Sequence, residues 1–145
     1  MDRIIQMKRN QKSAQSVFKE IGKVCLTHFE TFEVTTEVGG IFILSPNAFE
    51  SVPTIVHIDE FYVPFSLRRR GVGTHAMTSL CRLADKYQFR LEGGPIGWSD
   101  FLWREKLVEW MLRFGFISDR RFEPRSLDDP AAFYVCRQPA PNVKT

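Results

Sequence analysis

Apolar residues recur along the chain at changing spacings, and each spacing predicts a different element. From Ser13 onward, Ala14, Val17, Phe18, Ile21, Cys25 and Phe29 fall near i, i+3 and i+4, which predicts a helix over 13–29. Gly22 weakens that helix by roughly 1 kcal/mol relative to alanine. Phe32 to Val38 then alternates apolar and polar residues, with Thr and Val enriched, and predicts a strand. Gly39-Gly40 predicts a two-residue hairpin turn into a second strand, Ile41 to Leu44. Ser45-Pro46-Asn47 is expected to end it and to open a loop that runs to Pro53.

Thr54 to Val63 is the longest strand candidate. By period two, His57, Asp59, Phe61 and Val63 share one face, and Ile58, Glu60 and Tyr62 share the other. Pro64 cannot donate to a ladder and closes the run. Thr74 to Tyr87 predicts a helix whose apolar stripe is Ala76, Leu80, Leu83, Ala84 and Tyr87. Phe89 to Glu92 predicts a short strand. A strand, a glycine turn, a helix and a strand make a βαβ-type unit, so these two strands are expected to run parallel.

A third helix follows a Gly/Pro/Trp loop, with Ser99 or Asp100 as its cap. Trp103, Leu107, Trp110, Met111 and Phe114 give its apolar face, and Gly115-Phe116 fits its C-terminal stop. Strands are predicted at Phe116–Asp119 and Phe133–Arg137, on either side of a polar loop. Residues 1–12 are polar and basic after Ile4-Ile5 and predict a short strand and a turn. The expected organisation is one α/β (α+β) domain over 1–138 with a mixed sheet. A disordered tail is expected over 139–145.

Composition narrows the class. The chain has 145 residues, 43% of them hydrophobic, which suits one domain with one core. Thirteen phenylalanines point to a core built by aromatic packing. No run approaches the length of a membrane-spanning helix, so no membrane partner is expected. Met1 to Gln6 lacks the apolar core of a secretory leader. The three cysteines, Cys25, Cys81 and Cys136, have no metal-site spacing and read as free thiols of a reducing cytoplasm, with no metal expected. The net charge of +3 allows an acidic partner without demanding one. Charges of both signs are mixed along the chain, which argues against a nucleic-acid-binding surface.

The chemistry concentrates between the longest strand and the helix after it. There Arg68-Arg69-Arg70-Gly71-Val72-Gly73-Thr74 joins three cations to two glycines. Glycine lets the backbone approach a ligand closely. A helix start adds free N–H groups and the positive end of its dipole, so the guest expected is a phosphate or pyrophosphate. A solvated basic turn is the alternative reading of the arginines. His28 and His75 read as structural, Trp98, Trp103 and Trp110 as mainly core, and Cys81 as a small buried hydrophobe.

These residues resemble a known family. Val63-Pro64 followed by Arg68-Arg69-Arg70-Gly71-Val72-Gly73 is similar to motif A of the GCN5-related N-acetyltransferases, R/Q-x-x-G-x-G/A. Leu107 to Phe116, a helix ending in Gly-Phe, is similar to motif B of that family. The resemblance covers roughly residues 54–119. It implies the acyl-CoA N-acyltransferase fold: a mixed, mostly antiparallel twisted sheet flanked by helices and splayed at its two central parallel strands. It implies acetyl transfer from acetyl-CoA to a primary amine, on a small molecule or a protein. The backbone from Arg68 to Thr74 would hold the pyrophosphate, and the backbone of Phe61, Tyr62 and Val63 would hold the pantetheine arm. Asp59 and His57 match places where the family carries a glutamate base. A strand bulge would bring in Glu60 instead. His57 titrates nearest neutrality. The order of preference is Asp59, then His57, then Glu60.

Motif B departs from the pattern. Met111 stands where the family often has a tyrosine that protonates the leaving thiolate, so Tyr62, Tyr134 or water is expected to take that part. A second reading follows, in which the chain is a catalytically silent protein of this fold that binds a partner, with or without CoA. A homodimer through the last strand is also open if that strand forms a sheet edge.

Overall fold

The helical spacing that begins at Ala14 lasts only about a turn and a half. In the computed structural model, which describes residues 14–28, 31–47, 53–94, 101–118 and 134–141, helix α1 covers 14–18 and gives way through a turn to strand β1, Gly22–His28. The expected helix over 13–29 is therefore corrected in its second half. Gly22 is the reason. It pairs with Thr36 at the end of the ladder between β1 and β2, and a Cβ there would overlap the carbonyl oxygen of Thr35. A residue that weakens a helix is required by the close approach of two strands.

The strands that follow are β2 (Thr31–Thr36), β3 (Ile41–Pro46) and β4 (Ile55–Tyr62). The turn between β2 and β3 is longer than two residues, because Thr36 and Gly40 close it with two hydrogen bonds onto the Gly40 carbonyl, both 2.8 Å. Gly39 inside it takes a φ of 104°. Strand β3 also continues through Ser45 and Pro46, past its expected end, and Ser45 pairs with His57 of β4. Helix α2 (Val72–Tyr87) then leads to β5 (Arg90–Gly93), helix α3 (Phe101–Leu112), β6 (Ile117–Ser118) and β7 (Val135–Arg137). Among the described residues, seven strands form one sheet in the order β1-β2-β3-β4-β5-β7-β6. Every pairing is antiparallel except β4 with β5, which is parallel as expected. Strand β7 lies inside the sheet between β5 and β6, so the last strand is not an edge for a dimer.

The core is aromatic, as the phenylalanine count predicts. Phe18, Phe32, Phe42, Phe89 and Phe116 are fully buried, each contributing roughly 1.5–3 kcal/mol of transfer free energy. Helix α2 buries Ala76, Met77, Leu80, Leu83 and Ala84 against the sheet. Cys81 is buried in it as well, and burial pushes its thiol up to about 11, consistent with a packing role. Gly115, at a φ of 93°, turns the chain out of α3 and lets Phe116 enter the core.

One polar joint ties the C-terminal strand to α2. Arg137 donates to both carboxylate oxygens of Asp85, at 2.8 and 3.1 Å, and to the Phe114 carbonyl at 2.7 Å. The Ala140 N–H adds a third donor to Asp85, at 2.8 Å, and Gln88 donates to the Ala140 carbonyl at 2.7 Å. Expected disorder from Pro139 is thus corrected for Ala140, which is tied down. The expected strand in 1–12, the Ser99 or Asp100 cap, Trp98 and the polar loop over 120–132 lie outside the described residues.

Two outcomes test this packing. Gly22→Ala is expected to cost about 2 kcal/mol or more in urea unfolding, since only backbone faces the new methyl. Burial raises the carboxyl pKa of Asp85, but its bonds to Arg137 and Ala140 outweigh that and hold it below the ordinary range. A depressed folded-state pKa gives stability that is full above the unfolded value of about 3.9 and is lost as pH falls through the folded one. Asp85→Asn should therefore lower the urea midpoint at pH 6, and the gap from wild type should narrow toward pH 2.

Candidate active site

The arginine–glycine turn has the geometry of an anion cradle. A short 3₁₀ turn, Phe65–Leu67, leads from Pro64 into Arg68. Arg69 then takes a φ of 66° and Gly71 a φ of 74°. A left-handed arginine is uncommon and is held there by the fold on each side. Gly71 is the N-cap of α2, with no side-chain cap and no acidic residue in the first turn. The first N–H groups of a 16-residue helix, and the positive end of its dipole, are thus left without a side-chain acceptor. Arg68 donates from Nε to the Val63 carbonyl at 3.0 Å and lies 5.7 Å from the Phe65 ring centre. Its guanidinium stays exposed, as do those of Arg69 and Arg70.

A cavity of about 190 Å³ opens at this turn, lined by Val63, Arg68, Arg69, Gly71, Gly73 and Thr74 together with Leu67, Val72 and Trp110. A methyl on Gly73 would meet Val63 and Phe61 only at ordinary contact, 3.5 Å and beyond. The protein itself therefore leaves room for a side chain there, so packing does not require a glycine at this position. Trp110 is a residue that sequence reasoning placed in the core. It stacks on Phe61 with ring centres 5.9 Å apart and also lines the cavity. The signal for it lay in its position one turn before Gly-Phe, but an apolar stripe residue reads as core unless the neighbouring turn is known.

The second half of the site lies on β4. Ile43 of β3 pairs with Glu60 while Leu44 pairs with Ile58, so Asp59 is an extra residue on β4. This bulge reverses the alternation. Val56 and Ile58 point into the core before it, and Phe61 and Val63 pack against the core after it. The expected shared face for His57, Asp59, Phe61 and Val63 is corrected accordingly. His57 and Asp59 stand on the other face, both with side chains 36% exposed. Glu60 and Tyr62 are exposed beyond the bulge.

His57 and Asp59 are brought into direct contact, with Nδ1 2.7 Å from Oδ1. Ser45 of β3 donates a short hydrogen bond to Oδ2 of the same carboxylate. Burial pushes the Asp59 carboxyl up, but the bonds from His57 and Ser45 outweigh it and hold it below the ordinary range. Asp59 is therefore held as a carboxylate that accepts from both His57 and Ser45. The Tyr134 ring centre lies 6.5 Å from that of His57. Met111 is fully buried.

The two halves are joined by the parallel pair. The β4–β5 ladder runs from Ile55–Arg90 to Ile58–Gly93 and stops, while β4 continues to Tyr62. The ladder stops where β5 ends, and β4 runs four residues beyond it. Asp59→Asn removes the charge that His57 faces. The ring-proton NMR shifts of His57 are then expected to move from their wild-type positions, reporting the lost bond.

No protein-family model and no curated protein sequence matches the chain. Solved structures of acetyltransferases do match it over most of its length. Ard1 from Thermoplasma volcanium is 19% identical, covers 90% of this chain and 93% of its own, and gives a TM-score of 0.47. GCN5 of Tetrahymena is 13% identical, covers 98% and 91%, and gives 0.48. The GNAT family N-acetyltransferase YhbS from Escherichia coli, in complex with CoA, is 11% identical, covers 90% and 77%, and gives 0.48. Among the described residues, the strand order, the parallel β4–β5 pair and the glycine turn from β4 into α2 agree with the fold expected from the resemblance of the sequence to the GCN5-related N-acetyltransferases.

Proposed function

We propose that the chain is an acetyl-CoA-dependent N-acetyltransferase acting on a primary amine. The observation that carries this reading is the uncapped start of α2 behind Gly71 and Gly73, with three exposed arginines at its mouth. Such a turn suits a pyrophosphate, through N–H groups from Arg68 to Thr74 and through guanidinium charge. From Val63 back to His57 is six residues, or roughly 20 Å of strand. That is a span for a long, thin arm. The arm would lie along Phe61, Tyr62 and Val63, where β4 has no β5 partner in the ladder, and would cross there from the core face to the His57 face.

The chemistry needs positioning and one base. His57 is the base in this proposal, Asp59 holds it, and Glu60 is the reserve at the bulge. The amine nitrogen bonds to the thioester carbonyl carbon as the carbon–sulfur bond breaks. Nε2 of His57 takes the proton from nitrogen, and the sulfur leaves as thiolate. Buried Met111 cannot supply a proton to it, so water or Tyr134 does.

The burial of Met111 also favours a second reading, a binding protein that holds CoA without turnover. Turnover assays separate the two. With acetyl-CoA at 100 times its dissociation constant, unfolding should be harder by about 2.7 kcal/mol. Gly73→Ala should leave the melting temperature of the free protein nearly unchanged and abolish that stabilisation. In an amine panel followed by thiol release, His57→Ala should lower kcat/KM by on the order of 100-fold. Stabilisation by acetyl-CoA with no thiol release from any amine supports the silent reading. Absence of stabilisation in the wild type sinks both.

A further inference from the structure

A chain of hydrogen bonds reaches His57 from two strands away. Thr31 of β2 lies 3.3 Å from Ser45 of β3, oxygen to oxygen. Ser45 bonds to Oδ2 of Asp59, and Oδ1 of Asp59 meets Nδ1 of His57 at 2.7 Å. Counting protons fixes every direction along it. An ionised carboxylate only accepts, so both Ser45 and His57 donate to Asp59. Ser45 has one proton, already given to Asp59, so Thr31 must donate to Ser45. His57 must carry its neutral-state proton on Nδ1, which leaves the Nε2 lone pair free.

We infer that Ser45, held by Thr31, is a positioning residue for the proposed acetyl transfer: through Asp59 it fixes the tautomer and ring orientation of His57, so that Nε2 is the base. This rests on the acetyl-transfer reading for its purpose but not for its geometry. Ser45 is no nucleophile here. Its proton goes to the carboxylate and not to the imidazole, the reverse of the order in which a histidine activates a serine. The chain instead follows the way outer hydrogen bonds orient a working histidine. Asp59 lies two positions along β4 on the His57 face, and Ser45 pairs with His57 across β3 and β4, which brings the three side chains together. Other charged groups flank the ring from the neighbouring strand. Glu92 of β5 pairs in register with His57 and is bonded to Arg90 at 2.8 Å, so its charge is already engaged.

The test is ¹⁵N NMR of the histidine rings in the whole chain, at alkaline pH where imidazoles are neutral. His57 is expected as the Nδ1–H tautomer in the wild type and in Ser45→Thr. In Ser45→Ala it is expected to move part of the way toward the Nε2–H form that free imidazole prefers in water. In amine-dependent thiol release, Ser45→Ala should lower kcat about five-fold with the KM for acetyl-CoA unchanged, and Ser45→Thr should restore most of it. A wild-type His57 in the Nε2–H form, or a tautomer unmoved by Ser45→Ala, overturns the inference. If the tautomers behave as expected but no amine is acetylated by the wild type, the acetyl-transfer reading falls and the hydrogen-bond chain stands.

Discussion

The bulge in β4 makes one strand serve two faces of the sheet. Before it, Val56 and Ile58 fill the core and His57 faces the open side. After it, Phe61 and Val63 pack inward, beside the start of α2. Were Asp59 paired as a regular ladder residue, His57 and Val63 would stand on one face, and either His57 or the aromatic packing would be misplaced. The same stretch is where the ladder to β5 ends. An irregularity in pairing therefore sets the side-chain alternation and coincides with the opening that a ligand arm would need.

Electrostatics at the turn follow from what the sequence omits. Helix α2 has neither a capping side chain nor an acidic residue in its first turn, although such groups commonly satisfy a helix start. The positive φ of Arg69 and Gly71 bends the chain into the helix with three guanidinium groups outside. The result is a concentration of donors and positive charge beside a cavity with Trp110 in its wall. Stacking of Trp110 on Phe61, and of Phe61 on Phe42 at 4.5 Å, ties that wall to the interior of the sheet. The Arg137–Asp85 joint holds the far end of α2 to β7 in the same way. The cradle thus stands on rigid elements.

Much of this was legible in the residues, and the failures have physical causes. The helix after the glycine turn is found from Val72 to Tyr87, and the parallel pair follows from the βαβ order. Strand β1 was not legible, because Val24 and Cys25 continue a helical spacing and Gly22 reads as a weak point in a helix. Only the partner strand shows that Gly22 makes room for the Thr35 carbonyl. The bulge was foreseen as an alternative from the family resemblance, but period two alone cannot find an extra residue. Ser45 and Thr31 had no signal, since a hydroxyl at a strand position is ordinary until its neighbour across the sheet is known. The sequence order of preference put Asp59 ahead of His57. The proposed function reverses that order, because Asp59 is bonded to both His57 and Ser45.

In the proposed function one ligand spans the turn and the stretch of β4 beyond its ladder to β5. Titrating the ¹⁵N-labelled chain with CoA and following backbone amide shifts tests this most directly. The amides of Arg68 to Thr74 and those of Asp59 to Val63 are expected to move together, on one binding curve. Shifts confined to other parts of the sheet, or none at saturating CoA, would contradict it.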